Sequence, residues 1–312
     1  MHVRHFASRV LTRIAQATLT VALTAGITQS ASATKLVGTD VNSGKLLYIV
    51  TPKTVITIAN TGANPAGVVI GPNQEIIYAL SGAGEIHSFN PYTYKDTTLA
   101  KGFTTPTNIF IEPGCASILI TDTGVNKIFR LTLSNSAVTT FYNGPDQMTG
   151  IVYDTMGDIF ANDAALKAIV QLNASGAIVN QTPGAMPLTT LNGLTYDAHT
   201  SLLFATSSTG QVIYSTPINL TTVNTISFTT VPVLESIVSD GAGNLYIVGG
   251  NGTTNTLFKY TILTAKQTQF NTIPGLDNVA LIPFGPCLKT RGTDQSCEET
   301  SDEGTLAGVV TK

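Results

Sequence analysis

Residues 191–210 read LNGLTYDAHTSLLFATSSTG, in which two short apolar runs flank a polar turn. Residues 148–164, MTGIVYDTMGDIFANDA, follow the same order: a small residue, an apolar run, a polar turn and a second apolar run that ends in a polar residue. Short apolar runs separated by turn residues predict paired β-strands. If this pattern recurs at a fixed period, it determines the architecture of the whole chain.

The pattern recurs six times along the chain. Its copies begin with PAGVVIGP (65–72), PTNIFIEP (106–113), MTGIVYDT (148–155), LNGLTYDA (191–198), LESIVSDG (234–241) and LDNVALIP (276–283). Equivalent residues are 41 to 43 positions apart, namely Gly67, Asn108, Gly150, Gly193, Ser236 and Asn278. The first five copies continue with a second, a third and a fourth strand pattern, and four strands in about 40 residues make one propeller blade.

The two ends of the repeat complete each other. The sixth copy contains one strand pattern, whereas the segment after residue 34 begins with three, in KLVGTD (35–40), GKLLYIV (44–50) and TVITIAN (54–60). Pairing them would remove two exposed sheet edges. The sequence therefore predicts an all-β fold over residues 34–286. It is a six-bladed β-propeller with four-stranded antiparallel blades, whose last blade is closed by three N-terminal strands and one C-terminal strand.

The first 33 residues differ from the repeats. The start MHVRHFASRVLTR carries three Arg residues, and it is followed by a mostly apolar run at 14–28 and by Ala31-Ser32-Ala33. This order is typical of a secretory signal peptide, here cleaved after Ala33. The alternative is an uncleaved membrane anchor, but the run is shorter than the ~20 residues that span a bilayer. We expect a secreted or periplasmic protein with no stable membrane span after cleavage.

The composition and the cysteines restrict the partners and the tail. Charged residues make up 11% of the 312 residues and the net charge is −3, so the clustered Lys and Arg that nucleic acid requires are missing. We expect a monomer with no nucleic-acid partner. Residues 287–312 lose the periodicity and gain charge, which predicts a C-terminal tail. In an exported chain Cys287 and Cys297 are expected to form a disulfide, which leaves Cys115 as the odd cysteine.

Two kinds of motif resemble known propeller families. ILITDTGVNKIFRL (118–131) resembles the NHL-repeat consensus, a strand ending in Asp followed by Gly-x-Asn and a basic residue. LNGLTYDAHTSLLFATSS (191–208) and ESIVSDGAGNLYIVGG (235–250) resemble the Asn-Gly and Asp-Gly blades of the regucalcin/gluconolactonase family. The resemblance covers the whole propeller as architecture and two or three blades as motifs, and it too implies six blades.

In such a propeller, the loops that enter the first strand and leave the second share one face. One residue per repeat is therefore expected to line the central opening on that face, and we call these six the ring residues: Ala66, Thr107, Thr149, Asn192, Glu235 and Asp277. The ends of the second strands add Asp40, Asp122 and Asp163. We expect Thr107, Thr149 and these three aspartates to contact a ligand.

Oxygen-bearing side chains on rigid strands suit Ca²⁺ or another divalent cation. The resemblance implies a metal held by a Glu, by the Asn of the Asn-Gly blade and by an Asp of the next blade. Asn192 matches that Asn, whereas Glu235 occupies the Asp position and Ala66 the position of the family's Glu, for which Asp277 is the substitute. A metal at Asn192, Glu235 and Asp277 would polarise a lactone or ester carbonyl, with Glu235 or Asp277 as general base. Asn and Asp before a strand also commonly form turns.

Two functions remain open from the sequence. The first, favoured because the first-blade Glu is missing, is an exported binding module that recognises a small ligand, a peptide or a glycan at the central face. The alternative is a metal-dependent lactonase or esterase. The sequence contains no G-x-S-x-G motif, and it places His87 and His199 at opposite faces, which argues against a His-based metal centre.

Overall fold

The computed structural model describes residues 34–282, apart from residues 52, 63, 185–187, 229–230 and 252. These described residues form 24 β-strands and no helix. The first twelve strands are β1 (Leu36–Asp40), β2 (Lys45–Thr51), β3 (Thr54–Asn60), β4 (Pro65–Ile70), β5 (Ile76–Leu80), β6 (Glu85–Asn90), β7 (Lys95–Lys101), β8 (Pro106–Ile111), β9 (Ser117–Asp122), β10 (Lys127–Thr132), β11 (Val138–Asn143) and β12 (Met148–Tyr153). The second twelve are β13 (Ile159–Asp163), β14 (Ala168–Leu172), β15 (Ile178–Gln181), β16 (Leu191–Asp197), β17 (Leu202–Ser207), β18 (Val212–Pro217), β19 (Asn224–Ser227), β20 (Val233–Ser239), β21 (Asn244–Gly250), β22 (Thr254–Thr261), β23 (Lys266–Pro274) and β24 (Leu276–Leu281).

The strands form six separate four-stranded antiparallel sheets, the blades of a propeller. Blades 1 to 5 are β4–β7, β8–β11, β12–β15, β16–β19 and β20–β23, and blade 6 has the order β24-β1-β2-β3. The first strand of each blade contacts the first strand of the next, and β24 contacts β4, which closes the ring. The six-bladed fold and the closure of its last blade by both chain ends are thus confirmed.

The segments at both ends of the chain lie outside the described residues. They include residues 1–33 with the expected signal peptide, and residues 283–312 with the expected tail and with Cys287 and Cys297. Within the described part of the chain, no helix is long and apolar enough to cross a membrane.

The core lies between the blades. Successive side chains of a strand point to opposite faces of its sheet, so each blade buries one face against each neighbour. One apolar cluster joins Leu119 and Phe141 of blade 2 to Ile151 and Val170 of blade 3, and the other clusters join neighbouring blades in the same way. Each fully buried large apolar side chain contributes roughly 1.5–3 kcal/mol to the stability of the fold. Because these side chains are buried between two blades, a single blade cannot be stable without its neighbours.

A β-bulge interrupts every innermost strand near its beginning. In β16, Leu191 pairs with Ser207 and Leu194 with Ala205, so two residues lie opposite the single residue Thr206. The other five innermost strands show the same shift at the same place. A bulge bends its strand and redirects a side chain. The first unpaired residue of each bulge is the ring residue of that blade: Ala66, Thr107, Thr149, Asn192, Glu235 or Asp277.

Glycine follows the ring residue where two blades approach most closely. A Cβ atom on Gly193 would lie 2.9 Å from the backbone nitrogen of Ile237 in the next blade, and one on Gly67 would lie 2.8 Å from Asn108 Cα. Neither backbone neighbour can yield as a flexible side chain could. The Asn-Gly and Ala-Gly pairs of the repeat are therefore explained by blade packing.

Cys115 departs from its predicted role. It lies in the turn between β8 and β9, with a φ of 58°, and it is half-buried rather than enclosed. It is also disulfide-bonded. Because the chain has three cysteines, this bond is incompatible with a Cys287–Cys297 pair, and the expectation that Cys115 is the odd cysteine is wrong.

Candidate functional site

The ring residues divide into two halves of different chemistry. Asn192, Glu235 and Asp277 lie on the bulges of the consecutive strands β16, β20 and β24, and all three side chains are partly exposed. The other half carries the small or hydroxyl-bearing residues Ala66, Thr107 and Thr149. The structure therefore brings together the three residues that the sequence singled out, on one side of the central opening.

Asn192 and Glu235 are in direct contact. The Asn192 Nδ2 group donates a hydrogen bond to Glu235 Oε2 at 3.0 Å. Burial raises the pKa of Glu235, and the bond from Asn192 offsets part of that rise. Because the amide nitrogen faces Glu235, the Asn192 amide oxygen is the atom left for a further partner.

Asp277 is the most perturbed carboxyl group of the ring. Burial raises its pKa to about 7, and the negative charge of Glu235 contributes to the rise. In the described part of the chain, ion pairs of Lys or Arg with carboxylates are found at Glu85 and Glu112, and neither ring acid forms one. The acidic half of the ring thus carries negative charge that no described Lys or Arg neutralises.

The three residues could offer two carboxylates and one amide oxygen to a cation. Ca²⁺ takes about six to eight oxygen ligands, so a metal here would keep several water or ligand oxygens. No group of three or more His, Cys, Asp and Glu side chains that could hold a metal ion occurs among the residues that the structure describes. The arrangement suits a ligand that brings its own charge and hydrogen-bonding groups as well as it suits a bare metal ion.

Hydrogen bonds from the neighbouring blade fix the backbone of the acidic half. The Thr206 hydroxyl, opposite the bulge of its own blade, accepts the Gly193 N–H at 2.8 Å and donates to the Glu235 carbonyl at 3.3 Å. In the same position one blade earlier, Asn162 Nδ2 donates to the Asn192 carbonyl at 3.1 Å. The bonds to the Glu235 and Asn192 carbonyls each tie a ring residue to the previous blade, and we call such bonds blade latches.

The same latches occur on the small half of the ring. Thr39 donates to the Ala66 carbonyl at 2.7 Å and accepts the Asn278 N–H at 3.2 Å, while Thr121 donates to the Thr149 carbonyl at 3.4 Å. The sequence analysis did not identify the latch residues. Their signal is a polar residue directly before the last residue of an otherwise apolar second strand, as in Thr-Asp, Asn-Asp and Thr-Ser.

The aspartates at the second-strand ends point into turns. Asp40 and Asp122 are 8% and 1% exposed. The Asp40 carboxylate accepts the N–H groups of Asn42 and Ser43, and the Asp122 carboxylate accepts N–H groups of the preceding loop. Asp163, which is fully enclosed, accepts turn N–H groups through Oδ1. Loop and turn N–H groups therefore occupy the carboxylates of Asp40 and Asp122 and the Oδ1 atom of Asp163, whereas Asp163 Oδ2 has no hydrogen-bond partner.

The remaining candidates are the two threonines and the two histidines. Thr149 donates its hydroxyl to the Leu191 carbonyl at 3.0 Å, and the Thr107 hydroxyl lies 3.2 Å from that of Thr121. His87, on the third strand of blade 1, lies between Glu85 and Asp96. His199 lies in the turn between β16 and β17, so neither histidine is a ring residue.

Comparison with known proteins identifies a fold. No protein-family model matches the chain, and no curated protein sequence is similar to it. A chain of the crystal structure of a nidogen/laminin complex is similar to it with a TM-score of 0.68 and 16% identity, over 80% of this chain and 98% of that one. A streptogramin B lyase gives 0.60 and 13%, over 77% and 83%. A virginiamycin B lyase from Staphylococcus aureus gives 0.54 and 17%, over 66% and 69%. At these identities the likeness shows the fold alone, and it agrees with the six-bladed propeller superfamily that the sequence motifs resemble.

Proposed function

We propose that the protein is an exported binding module whose central face captures a small ligand or peptide through a positively charged group. One observation carries the proposal: Asn192, Glu235 and Asp277 are concentrated on three consecutive blades, and neither acid forms an ion pair with a Lys or Arg in the described part of the chain. The small residues on the other half leave room for the rest of the ligand. Concave sites with a few convergent polar groups are typical of ligand-binding faces.

The raised pKa of Asp277 supports a cationic partner. Near neutral pH a second negative charge beside Glu235 is costly, because burial and the neighbouring charge both oppose ionisation. A positive group on the ligand would offset the negative charge of Glu235, and Asp277 would then release its proton. Affinity for a cation is therefore expected to rise as the pH rises from about 6 to 8, through the pKa of Asp277.

A second function, metal-dependent hydrolysis of a lactone or ester, is favoured by the hydrogen bond between Asn192 and Glu235 and by the closeness of Asp277 to Glu235. The donor set fits a divalent cation, which Glu235, Asp277 and the Asn192 oxygen would hold. When bound, such an ion polarises a carbonyl group and lowers the pKa of water. This chain's own part would be to orient the substrate against the small half of the ring and to accept a proton at Glu235 or Asp277.

Calorimetric titration distinguishes these functions. The purified protein is titrated at about pH 6 and pH 8 with spermidine, with Arg-containing and Lys-containing peptides, and separately with CaCl₂. Glu235→Gln and Asp277→Asn are the test variants, and Thr107→Val on the small half is the control. Binding of organic cations that both test variants lose and the control keeps would support the binding module. Binding of Ca²⁺ alone, together with turnover of a chromogenic ester, would favour the hydrolase. Absence of all binding would refute both functions.

A further inference from the structure

A second acidic cluster lies outside the ring, where blade 2 meets blade 3. Asp163 ends β13, Asp146 lies in the loop between β11 and β12, and Tyr142 lies near the end of β11. Asp163 is 0% exposed. Its Oδ1 atom accepts the N–H groups of Ala165 and Leu166, at 3.0 and 2.8 Å, whereas its buried Oδ2 atom has no hydrogen-bond partner. A buried carboxylate oxygen without a partner is rare, because it keeps the full cost of its lost hydration.

Blade 2 shows what the equivalent oxygen normally contacts. Asp122 is the last residue of the second strand of blade 2, and Asp163 is the last residue of the second strand of blade 3. The two are equivalent because each pairs with the first residue of the innermost strand of its blade. Asp122 also uses Oδ1 for its turn, but its Oδ2 accepts the N–H of Thr104 at 2.7 Å. Thr104 lies two residues before β8, and the residue two before β12 is Asp146.

The loops align at these positions by their hydrogen bonds. Thr105 accepts the N–H of Thr123, the residue after Asp122, and Gln147 accepts the N–H of Ala164, the residue after Asp163. Asp146, directly before Gln147, therefore stands where Thr104 stands in blade 2. An acidic residue therefore stands at the loop position whose backbone N–H satisfies the equivalent aspartate oxygen in blade 2.

The backbone donor at this point is used elsewhere. The N–H of Asp146 makes its hydrogen bond to the Tyr142 hydroxyl rather than to Asp163. Gly144 makes room for that hydroxyl, since a Cβ atom there would lie 2.0 Å from the Tyr142 oxygen. The Tyr142 hydroxyl thus lies beside the Asp146 backbone, and the charge of Asp146 acts on both Tyr142 and Asp163. Burial raises the pKa of Asp163, and the charge of Asp146 raises it further.

We propose that Asp163 Oδ2, the Asp146 carboxylate and the Tyr142 hydroxyl oxygen form a binding site for a divalent, oxygen-seeking cation of the Ca²⁺ type, separate from the ring. A cation gives the unpartnered oxygen a ligand and neutralises both carboxylates at once. Ca²⁺ tolerates irregular geometry and completes its coordination with water, whereas Mg²⁺ demands a regular octahedron. The ion joins the loop at 144–147 to the turn after Asp163, and so ties two adjacent blades together on the ring face.

Terbium luminescence and thermal unfolding test this site on the full chain. The protein contains ten Tyr and no Trp, so luminescence of Tb³⁺, a Ca²⁺ substitute, is excited through tyrosine. The variants are Asp163→Asn, Asp146→Asn and Tyr142→Phe. The matched control is Asp122→Asn, which alters the equivalent aspartate whose oxygens are already satisfied. Glu235→Gln separates the site from the ring.

The expected result is a saturable Ca²⁺ effect that belongs to this cluster. Ca²⁺ at millimolar concentration raises the unfolding midpoint of the wild type by about 2–4 °C. Asp163→Asn and Asp146→Asn weaken Ca²⁺ binding at least about tenfold, since affinity follows the number of charged ligands. Tyr142→Phe loses most of the tyrosine-excited luminescence. Asp122→Asn and Glu235→Gln keep the Ca²⁺ effect.

Three results would overturn the proposal. One is the absence of saturable Ca²⁺ or Tb³⁺ binding in the wild type. Another is a Ca²⁺ effect that Glu235→Gln abolishes and Asp146→Asn keeps, which would place the ion at the ring. A third is an Asp163→Asn protein that is more stable than the wild type at every Ca²⁺ concentration, which would show that Ca²⁺ does not stabilise the Asp163 carboxylate.

Discussion

The two halves of the ring share a backbone and differ in their side chains. Each half is built from the same bulge, and each uses the same blade latch, as Thr39 shows at Ala66 and Thr206 at Glu235. Only the acidic half carries carboxyl groups with raised pKa values, at Glu235 and Asp277. The comparison teaches that the repeat supplies six equivalent positions, and that carboxyl groups occur at two neighbouring ones, beside Asn192 at a third.

The largest expected difference between the halves is in ligand affinity. Glu235→Gln is expected to weaken binding of a cationic ligand by at least about 30-fold, because removing one partner of a desolvated charge pair costs about 2–5 kcal/mol. Thr107→Val, on the small half, is expected to change the affinity less than about threefold. Calorimetric titration at about pH 8 measures both. Equal losses of affinity in the two variants would show that the acidic half does not dominate ligand binding.

The next effect is a pH-dependent stability that only the acidic half shows. The pKa of Asp277 is raised to about 7 in the folded protein, so between about pH 4 and pH 7 the folded chain holds a proton that the unfolded chain has released. Stability from this group is therefore lost as the pH rises through that window. Asp277→Asn has no titrating group and so does not lose this stability. Its free energy of unfolding is expected to equal that of the wild type near pH 4 and to exceed it by on the order of 2–4 kcal/mol near pH 8.

Urea unfolding from about pH 4 to pH 8 measures this dependence. The control is Thr149→Val, which alters a ring residue without a titrating group and should differ from the wild type by a constant amount. A flat difference for Asp277→Asn would mean that its carboxyl group is ionised throughout the range.

The blade latches give a smaller and more symmetric effect on stability. Thr206→Val and Thr39→Val each leave one buried and one partly buried backbone group without the hydroxyl, at a cost of about 1–3 kcal/mol. Thr→Ser at the same positions should restore most of the stability. Only Thr206→Val is expected to weaken ligand binding as well, because its latch holds the Glu235 backbone. Urea unfolding and calorimetric titration of the four variants check this, and equal effects of both Val variants on affinity would contradict it.

Much of this architecture follows from the sequence because the signal is local and repeated. Six copies at 41 to 43 residues place Asn192, Glu235 and Asp277 on equivalent strands, and the missing strands at the two ends predict how the ring closes. The blade latches were missed because they join residues about 30 positions apart in different blades, which no single repeat shows.

The direction of the second-strand aspartates could not be predicted for a similar reason. Whether a carboxylate at such a position faces a ligand or a turn depends on which backbone N–H groups the preceding loop offers. For Asp122 that loop offers the N–H groups of Thr104 and Thr105, which lie 18 and 17 residues earlier, and the carboxylate accepts both. For Asp163 the corresponding donor of Asp146 is taken by Tyr142, so the same motif ends with an unpartnered oxygen.

The smallest expected effect belongs to Thr149, the residue of the small half that stands beside the acidic half. Its hydroxyl donates to the Leu191 carbonyl at 3.0 Å, directly before Asn192. Thr149→Val removes that hydrogen bond at similar volume and should cost about 0.5–1.5 kcal/mol in urea unfolding, while Thr149→Ser keeps the bond and most of the stability. Because the bond precedes Asn192 without touching its side chain, ligand affinity should stay within about twofold. A larger loss of affinity would show that Thr149 also belongs to the ligand-binding face, so that four ring residues rather than three would bind the ligand.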